Sequence, residues 1–383
     1  MARGMKGATL PEIAEVVRDE PEGRRWLDDA AVRARAATHL TSELTRESWK
    51  YTPLASFLAA FGEADSAPAA RIDGIDQPGV RAVPLDDMGA EDEAHVRRAI
   101  ADDLDADRHL LADLGLLRAR GGWLVVISGA PAAPVEIRYA GGGIAPVFVR
   151  LEPGAAATVM EHLDGDRFLT QMGHVQVGTN ARLHHYRAAF QRDVGHYAML
   201  RTRLERDAHY TLNQILVGGS RRRAELHVVM DGQGAEADLS GAYLVEAGQH
   251  LDQQLTVEHR AGHARSRQKF HGIGAGKGRS VFNGRIHIHP DTPDSDAQLA
   301  NRNLALHPEA EMNTKPELEI YTDDVRCAHG ATVGQLSVEA LFFLTARGIP
   351  EPAARRLLAH GFVRECMSGP LADAAAERFA EAL

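Results

Sequence analysis

Only two cysteines, Cys327 and Cys366, occur in the 383 residues. Two cannot build a disulfide framework, so both read as free thiols in a reducing compartment. Basic residues are also short, 43 Lys and Arg against 53 Asp and Glu, a net charge of −10. A chain made to hold nucleic acid would carry the opposite bias, because phosphate contacts need Lys and Arg. No window approaches the ~18 apolar residues of a membrane helix, and the longest aliphatic stretch, Trp123–Ile127, is strand-sized. The first residues, MARGMKGATLPEIAEVV, hold no apolar run and no cleavage site of a signal peptide. A cytoplasmic protein that binds neither nucleic acid nor membrane is expected.

Catalytic signatures are missing too. Neither G-x-S-x-G nor H-E-x-x-H occurs, so a hydrolase reading has no anchor. The stretch HGIGAGKGRS, 271–280, resembles a phosphate loop but has His271 where the first glycine belongs and Gly278 where Ser or Thr belongs. It lies between two alternating segments and opens no helix, so it reads as a strand-to-strand turn.

What is present is globular: 44% hydrophobic and 25% charged residues. A chain of this length holds two to three domains and buries roughly three quarters of its unfolded surface. Residues 1–120 read as a helical region. Ala14, Val17, Trp26, Leu27, Val32, Ala36 and Leu40, punctuated by Pro11 and Pro21, and then Val96, Ile100, Leu104, Leu111 and Leu114 keep helical spacing. The Gly- and Pro-bearing segment 61–85 between them reads as an extended connector. From Gly121-Gly122 to about residue 330 the period becomes two. Ala224, Leu226 and Val228 alternate with polar neighbours, as do Ala235, Ala237, Leu239, Gly241, Tyr243 and Val245, then Leu251, Leu255 and Val257, then Phe282, Gly284, Ile286 and Ile288. Leu212 to Leu239 and Leu255 to Phe282 are each 27 residues apart, and Leu226 to Leu255 is 29. A near-constant interval of two strands and two turns is the mark of a solenoid. A mainly β fold with a parallel β-helix core over 121–330 is expected.

Residues 331–383 return to helix: Val338, Leu341, Phe342 and Thr345, ended by Gly348; a second helix opened by Pro350-Glu351-Pro352 and capped by Gly361; and a last one striped by Leu371, Ala375 and Phe379. Such a pack caps a solenoid or binds a partner helix. The run Arg221-Arg222-Arg223 reads as a turn at the solenoid rim. Histidine is frequent, nineteen in all, with local pairs at His184-His185, His259/His263 and His287/His289. The last pair would share one strand face and could grip a metal ion, although no third ligand is near in sequence, and alternation with Ile286 and Ile288 also fits a plain solvated face. Cys327 and His329, two apart at the end of the β region, offer thiolate and imidazole, the ligand types iron species prefer. A buried, inert cysteine is the competing reading.

The stretch TKPELEIYTDDVRCAHGATVGQLSVEALFFLTARGIP, 314–350, resembles the SufD family of the SUF iron–sulfur cluster assembly machinery. Residues 281–306 and the segment ESWKYTPL, 47–54, resemble other parts of it, and C-A-H-G-A-T-V-G distinguishes this pattern from the sister family SufB. The resemblance implies a right-handed parallel β-helix flanked by N- and C-terminal α-helical regions. It implies a non-enzymatic scaffold subunit that pairs with a SufB-like partner and docks a SufC-type ABC ATPase through the C-terminal helices. A cysteine desulfurase and sulfur carrier would act upstream, an iron–sulfur cluster would form transiently at the partner interface, and reduced flavin would belong to the complex, with no residues assigned here. Without its partner the chain could form a homodimer. Cys327 and His329 match the family's interface positions. The alternatives are a cytoplasmic β-helix enzyme acting on carbohydrate or acyl groups, for which no carboxylate row or six-residue period is visible, and a stand-alone metal-binding protein.

Overall fold

In the computed structural model, residues 23–63, 70–103, 109–190, 194–367 and 369–381 are described. Ala14, Val17, Pro11, Pro21 and Leu104, placed on helices above, lie outside them.

Strand alternation dictates the architecture. Among the described residues, two nine-stranded sheets face each other, and from Trp123 onward the chain passes from one to the other with each strand. One sheet holds β2 (Val80–Pro84), β3 (Trp123–Ile127), β5 (Gly143–Leu151), β7 (Leu169–Val177), β9 (Gly195–Leu204), β11 (Arg221–Met230), β13 (His250–His259), β15 (Arg279–Ile288) and β17 (Glu311–Ile320). The other holds β1 (Ala70–Asp73), β4 (Val135–Tyr139), β6 (Ala156–Leu163), β8 (Arg182–Ala189), β10 (His209–Val217), β12 (Glu236–Val245), β14 (Arg265–Gly274), β16 (Ser295–Ala305) and β18 (Val325–Gly334). From β3 onward neighbouring strands pair in parallel, giving a β-solenoid of about eight turns. Inward side chains of successive coils, such as Leu212 on Leu239 and Leu226 on Leu255, stack in register into one continuous core.

One interval shifts. Leu255 pairs with Gly284, and Phe282 pairs with Gln253. A Cβ on Gly284 would stand 2.9 Å from the Phe282 ring and 2.4 Å from Leu299, so the glycine makes room for the aromatic beside it. The corners repeat as well. Asn180, Asp207 and His263 adopt φ of 56–58°, and Gly154 and Gly234 adopt 74° and 73°, each two residues before a strand of the second sheet, and Asp294 adopts 51° one residue before the next. This left-handed corner residue recurs coil after coil and suits Gly, Asn and Asp.

The solenoid starts earlier than the composition shift at Gly121 suggests. The segment taken as a connector contributes β1 and β2, which pair antiparallel with β4 and β3. Helices α1 (Asp29–Thr41), α2 (Glu43–Ser48), α3 (Leu54–Glu63), α4 (Ala90–Asp103) and α5 (Leu110–Arg118) surround these strands in sequence. Trp26, Trp49, Phe57, Phe61 and Leu114 cover the outer face of the first sheet at Leu124, Phe148, Met172 and Tyr197. The C-terminal helices α6 (Val338–Thr345), α7 (Glu351–Arg364) and α8 (Leu371–Glu381) follow β18. Val363, Leu371, Ala375 and Phe379 pack on the outer face of the second sheet at Ala188, Ile215, Leu244 and Ile273. The C-terminal pack therefore covers a side of the solenoid and leaves its end free.

Two local expectations are corrected. Gly361 does not cap α7, which continues to Arg364, because no left-handed turn occurs there. Arg221-Arg222-Arg223 is no rim turn but the start of β11, with Arg222 and Arg223 fully buried. Arg223 is held by Glu225 (2.6 Å) and Asp252 (2.5 Å), and its guanidinium lies over the Trp49 ring at 4.0 Å. Burial of these charges requires such pairing.

Candidate functional site

The two ends of the solenoid differ. At the N-terminal end the edges are short antiparallel strands of four and five residues, pinned by the Trp123 indole donating to the Ala70 carbonyl. At the C-terminal end β17 and β18 are ten-residue edges, each paired on one side only. Long unpaired edges are normally shortened, charged or covered, because they template pairing with another chain. β17 carries Lys315, Glu317 and Glu319, and Pro316 interrupts its backbone donors. β18 has no proline and one charged residue, Arg326, and it offers Ala328, Gly330, Ala331 and Gly334 to an incoming backbone.

Cys327 and His329 lie on this strand. Register aligns Cys327 with Ala297 and His329 with Leu299, both buried core residues of β16. The two side chains thus continue the inward-facing column onto a coil that no further strand covers among the described residues. Cys327 packs against the solenoid core and stays half-buried, whereas His329 is exposed. Burial pushes the Cys327 thiol up from its ordinary value, partly offset by a backbone hydrogen bond with Ala297. The thiol is therefore protonated at neutral pH and must lose its proton to bind metal or sulfur. Among the described residues, no third donor of this chain completes a site around the pair. Any iron or cluster held here needs ligands from elsewhere.

The other cysteine has a different environment. Cys366 is buried beneath β12, its Sγ donating to the carbonyls of Gly241 (3.4 Å) and Val363 (3.2 Å), and burial pushes its thiol to about 12. It is structural packing.

The histidine pairs separate. His185 is buried inside the solenoid between Glu161 (3.0 Å) and Tyr210 (3.0 Å), while His184 faces solvent. His259 is interior, bonded to Ser266, while His263 sits at a corner near Asp294. His287 and His289 do share a face, their rings stacked 4.0 Å apart.

A second exposed feature adjoins the open end. Val338 (75% exposed), Phe342 (71%), Phe343 and Leu357 form an uncovered apolar face on α6 and α7, with Tyr321 and Val333 exposed nearby in sequence on the last coil. The apolar spacing of α6 is visible in the sequence; which side it turns to the solenoid is not. No helix among the described residues is long and apolar enough to cross a membrane.

Fold and site together define a class: a β-solenoid scaffold closed at one end and open at the other, with a thiol and an imidazole on the open coil. Residues 140–362 match the family described as SUF system FeS cluster assembly, SufBD core domain. The iron–sulfur cluster assembly protein SufD of Escherichia coli (strain K12) is 34% identical over 192 residues, 50% of this chain and 45% of that protein. A SufBD family iron–sulfur cluster assembly protein of Mycobacterium leprae is 34% identical over 184 residues, 46% of this chain and 47% of its own. The chloroplastic protein ABCI7 of Arabidopsis thaliana is 31% identical over 194 residues, 50% and 41% respectively. The matches span about half the length of each curated relative or less. The chain belongs to the SufBD core family.

Proposed function

We propose that this chain is a SufD-type, non-ATPase subunit of a SUF iron–sulfur cluster assembly complex. The observation that carries the reading is the uncovered terminal coil with Cys327 and His329 in inward-facing positions. A SufB-like partner would stack its own edge on β18, bury the apolar rim and bring the ligands the pair lacks. The nascent cluster is then cargo at the junction, supplied with sulfur from a cysteine desulfurase and its carrier. The exposed face of α6 and α7 suits a SufC-type ATPase, whose dimerisation would shift the two subunits against each other. Such coupling requires contacts that differ between the two states. Reduced flavin belongs to this proposal only at the level of the complex.

The test is a cell in which SUF is the sole assembly route and this chain carries His329→Ala. Iron–sulfur enzyme activity should fall severely at normal protein level, because imidazole serves there as ligand or proton carrier. Cys327→Ser should be milder if the thiol mainly fills space, and as severe if it binds iron or sulfur. Full activity of the His329 variant, or failure of the tagged chain to co-purify with a second β-solenoid subunit and an ATPase, overturns the proposal.

A further inference from the structure

The His287/His289 pair lacks a third ligand in its own neighbourhood of sequence. The solenoid supplies one. Register places Glu258 of β13 directly beside His287 of β15, 29 residues on, and His289 follows two positions later on the same outer face. The donor atoms of the three residues lie within 4.8 Å of one another. His289 Nε2 stands 3.1 Å from Glu258 Oε2. Two ligands bound to one first-row metal at about 2.1 Å are themselves roughly 3.0–3.4 Å apart at octahedral or tetrahedral angles. That pair is already at chelating separation, and His287 needs only a rotamer adjustment, its ring being stacked on His289 at 13°.

The surroundings are ordered as metal sites usually are. His227 Nε2 lies 2.7 Å from Glu258 Oε1, fixing the carboxylate with Oε2 shared between His289 and Arg260. Such supporting hydrogen bonds orient ligands and tune them. Two cations stand close: Arg285 is gripped by Glu319 at 2.6 and 2.8 Å, and Arg260 holds Glu258 Oε2 at 2.7 and 2.9 Å with Asp231 at 3.8 Å, so a metal would take that oxygen from Arg260 and leave Arg260 to Asp231. Glu319 lies 3.9 Å from His287 and also lines a cavity of about 230 Å³ whose walls include Glu47, Glu225 and Glu317.

We propose that Glu258, His287 and His289 form a mononuclear binding site for a divalent transition metal of the zinc or ferrous-iron class. Two imidazoles and one carboxylate on one face leave coordination positions open for water or a further ligand. The site lies on the outer face of the first sheet, while Cys327 and His329 lie on the last strand of the second, so it stands or falls independently of the function proposed above.

Cobalt(II) is the probe, since its visible bands report coordination directly. The metal-free, untagged full chain should take up one equivalent of Co²⁺ with the bands of a nitrogen–oxygen site, displaced by Zn²⁺. His287→Ala/His289→Ala, both positions partly exposed, should keep the parent's circular dichroism and melting temperature and bind at least about tenfold more weakly. Glu258→Gln keeps the shape but trades an acceptor oxygen for a donor NH2, and it should weaken binding likewise. Cys327→Ser/His329→Ala should bind as the parent does. Absence of Co²⁺ uptake by the parent, or equal uptake by the double histidine variant through other histidines, overturns the proposal.

Discussion

His259 shows how one interior residue makes the fold pH-dependent. It is fully buried, with Nε2 bonded to Ser266 Oγ at 2.8 Å, and burial lowers its pKa from 6.5 to about 4. The folded chain therefore keeps the ring neutral where the unfolded chain would protonate it. The stabilisation is complete above pH 6.5 and is lost progressively as pH falls toward about 4. His227, lowered to about 4 by burial and then Arg201, adds to the same slope. Buried carboxylates act lower down: Glu161 and Glu225 are held near 2 by Arg187 and Arg223 respectively despite burial, so their contribution is present above 4.5 and is lost below it. Replacing His259 with Gln should flatten the loss of stability between about pH 7 and pH 5 by about 2 kcal/mol. Urea unfolding at the two pH values measures it, and an unchanged slope would show that His259 is protonated in the fold. Cys327 belongs to this scale too. The C-x-H spacing was legible in the sequence, but its place on an uncovered coil was not, because nothing local tells a last coil from an inner one.

At the scale of elements, the strands were the legible part. Alternation from Ala235 to Val245 marks β12 because every second side chain must enter the core. The coil corners carried a signal that went unread, a Gly, Asn or Asp two residues before many strands, since His263 hides it in one coil. The segment 61–85 looks like a connector because β1 and β2 are too short to show a period, and Arg221-Arg222-Arg223 looks like a turn because a basic run gives no hint of the carboxylates folded against Arg223. The C-terminal stripe Leu371, Ala375 and Phe379 is legible, but its use is not: it anchors α8 on the second sheet, and the exposed apolar surface is on α6. These two faces give opposite expectations. Phe379→Ala removes a fully buried ring and should cost about 3–5 kcal/mol. Phe342→Asp alters a ring 71% exposed and should change stability by no more than about 0.5 kcal/mol, yet abolish co-purification of the ATPase. A large stability loss in Phe342→Asp would place α6 in the core of this chain.

For the whole molecule, the asymmetry of the two ends matters most. A solenoid propagates by adding coils, and every coil but the last buries its inward row beneath the next. Here the N-terminal edges turn antiparallel and stop, while β17 and β18 end with full-length unpaired backbones. Val333, at the inward position over Asn303, is 50% exposed. Such an end templates pairing with another backbone, and when no other subunit is present a second copy is available at the same concentration. Two open ends related by a two-fold axis would run β18 against β18 antiparallel, an isologous contact that closes on itself and cannot grow into a filament. The purified chain alone should therefore dimerise in a concentration-dependent way. Val333→Lys places a charge in the middle of that contact, a substitution of the kind that blunts edges, on a side chain half-exposed in the single chain. It should weaken the dimer at least about tenfold, corresponding to roughly 1.4 kcal/mol, without moving the urea midpoint of the dilute protein. Sedimentation velocity over a dilution series measures both proteins. A parent chain that stays monomeric throughout, or a variant that dimerises as tightly, would mean that the open coil is not the surface through which this molecule associates.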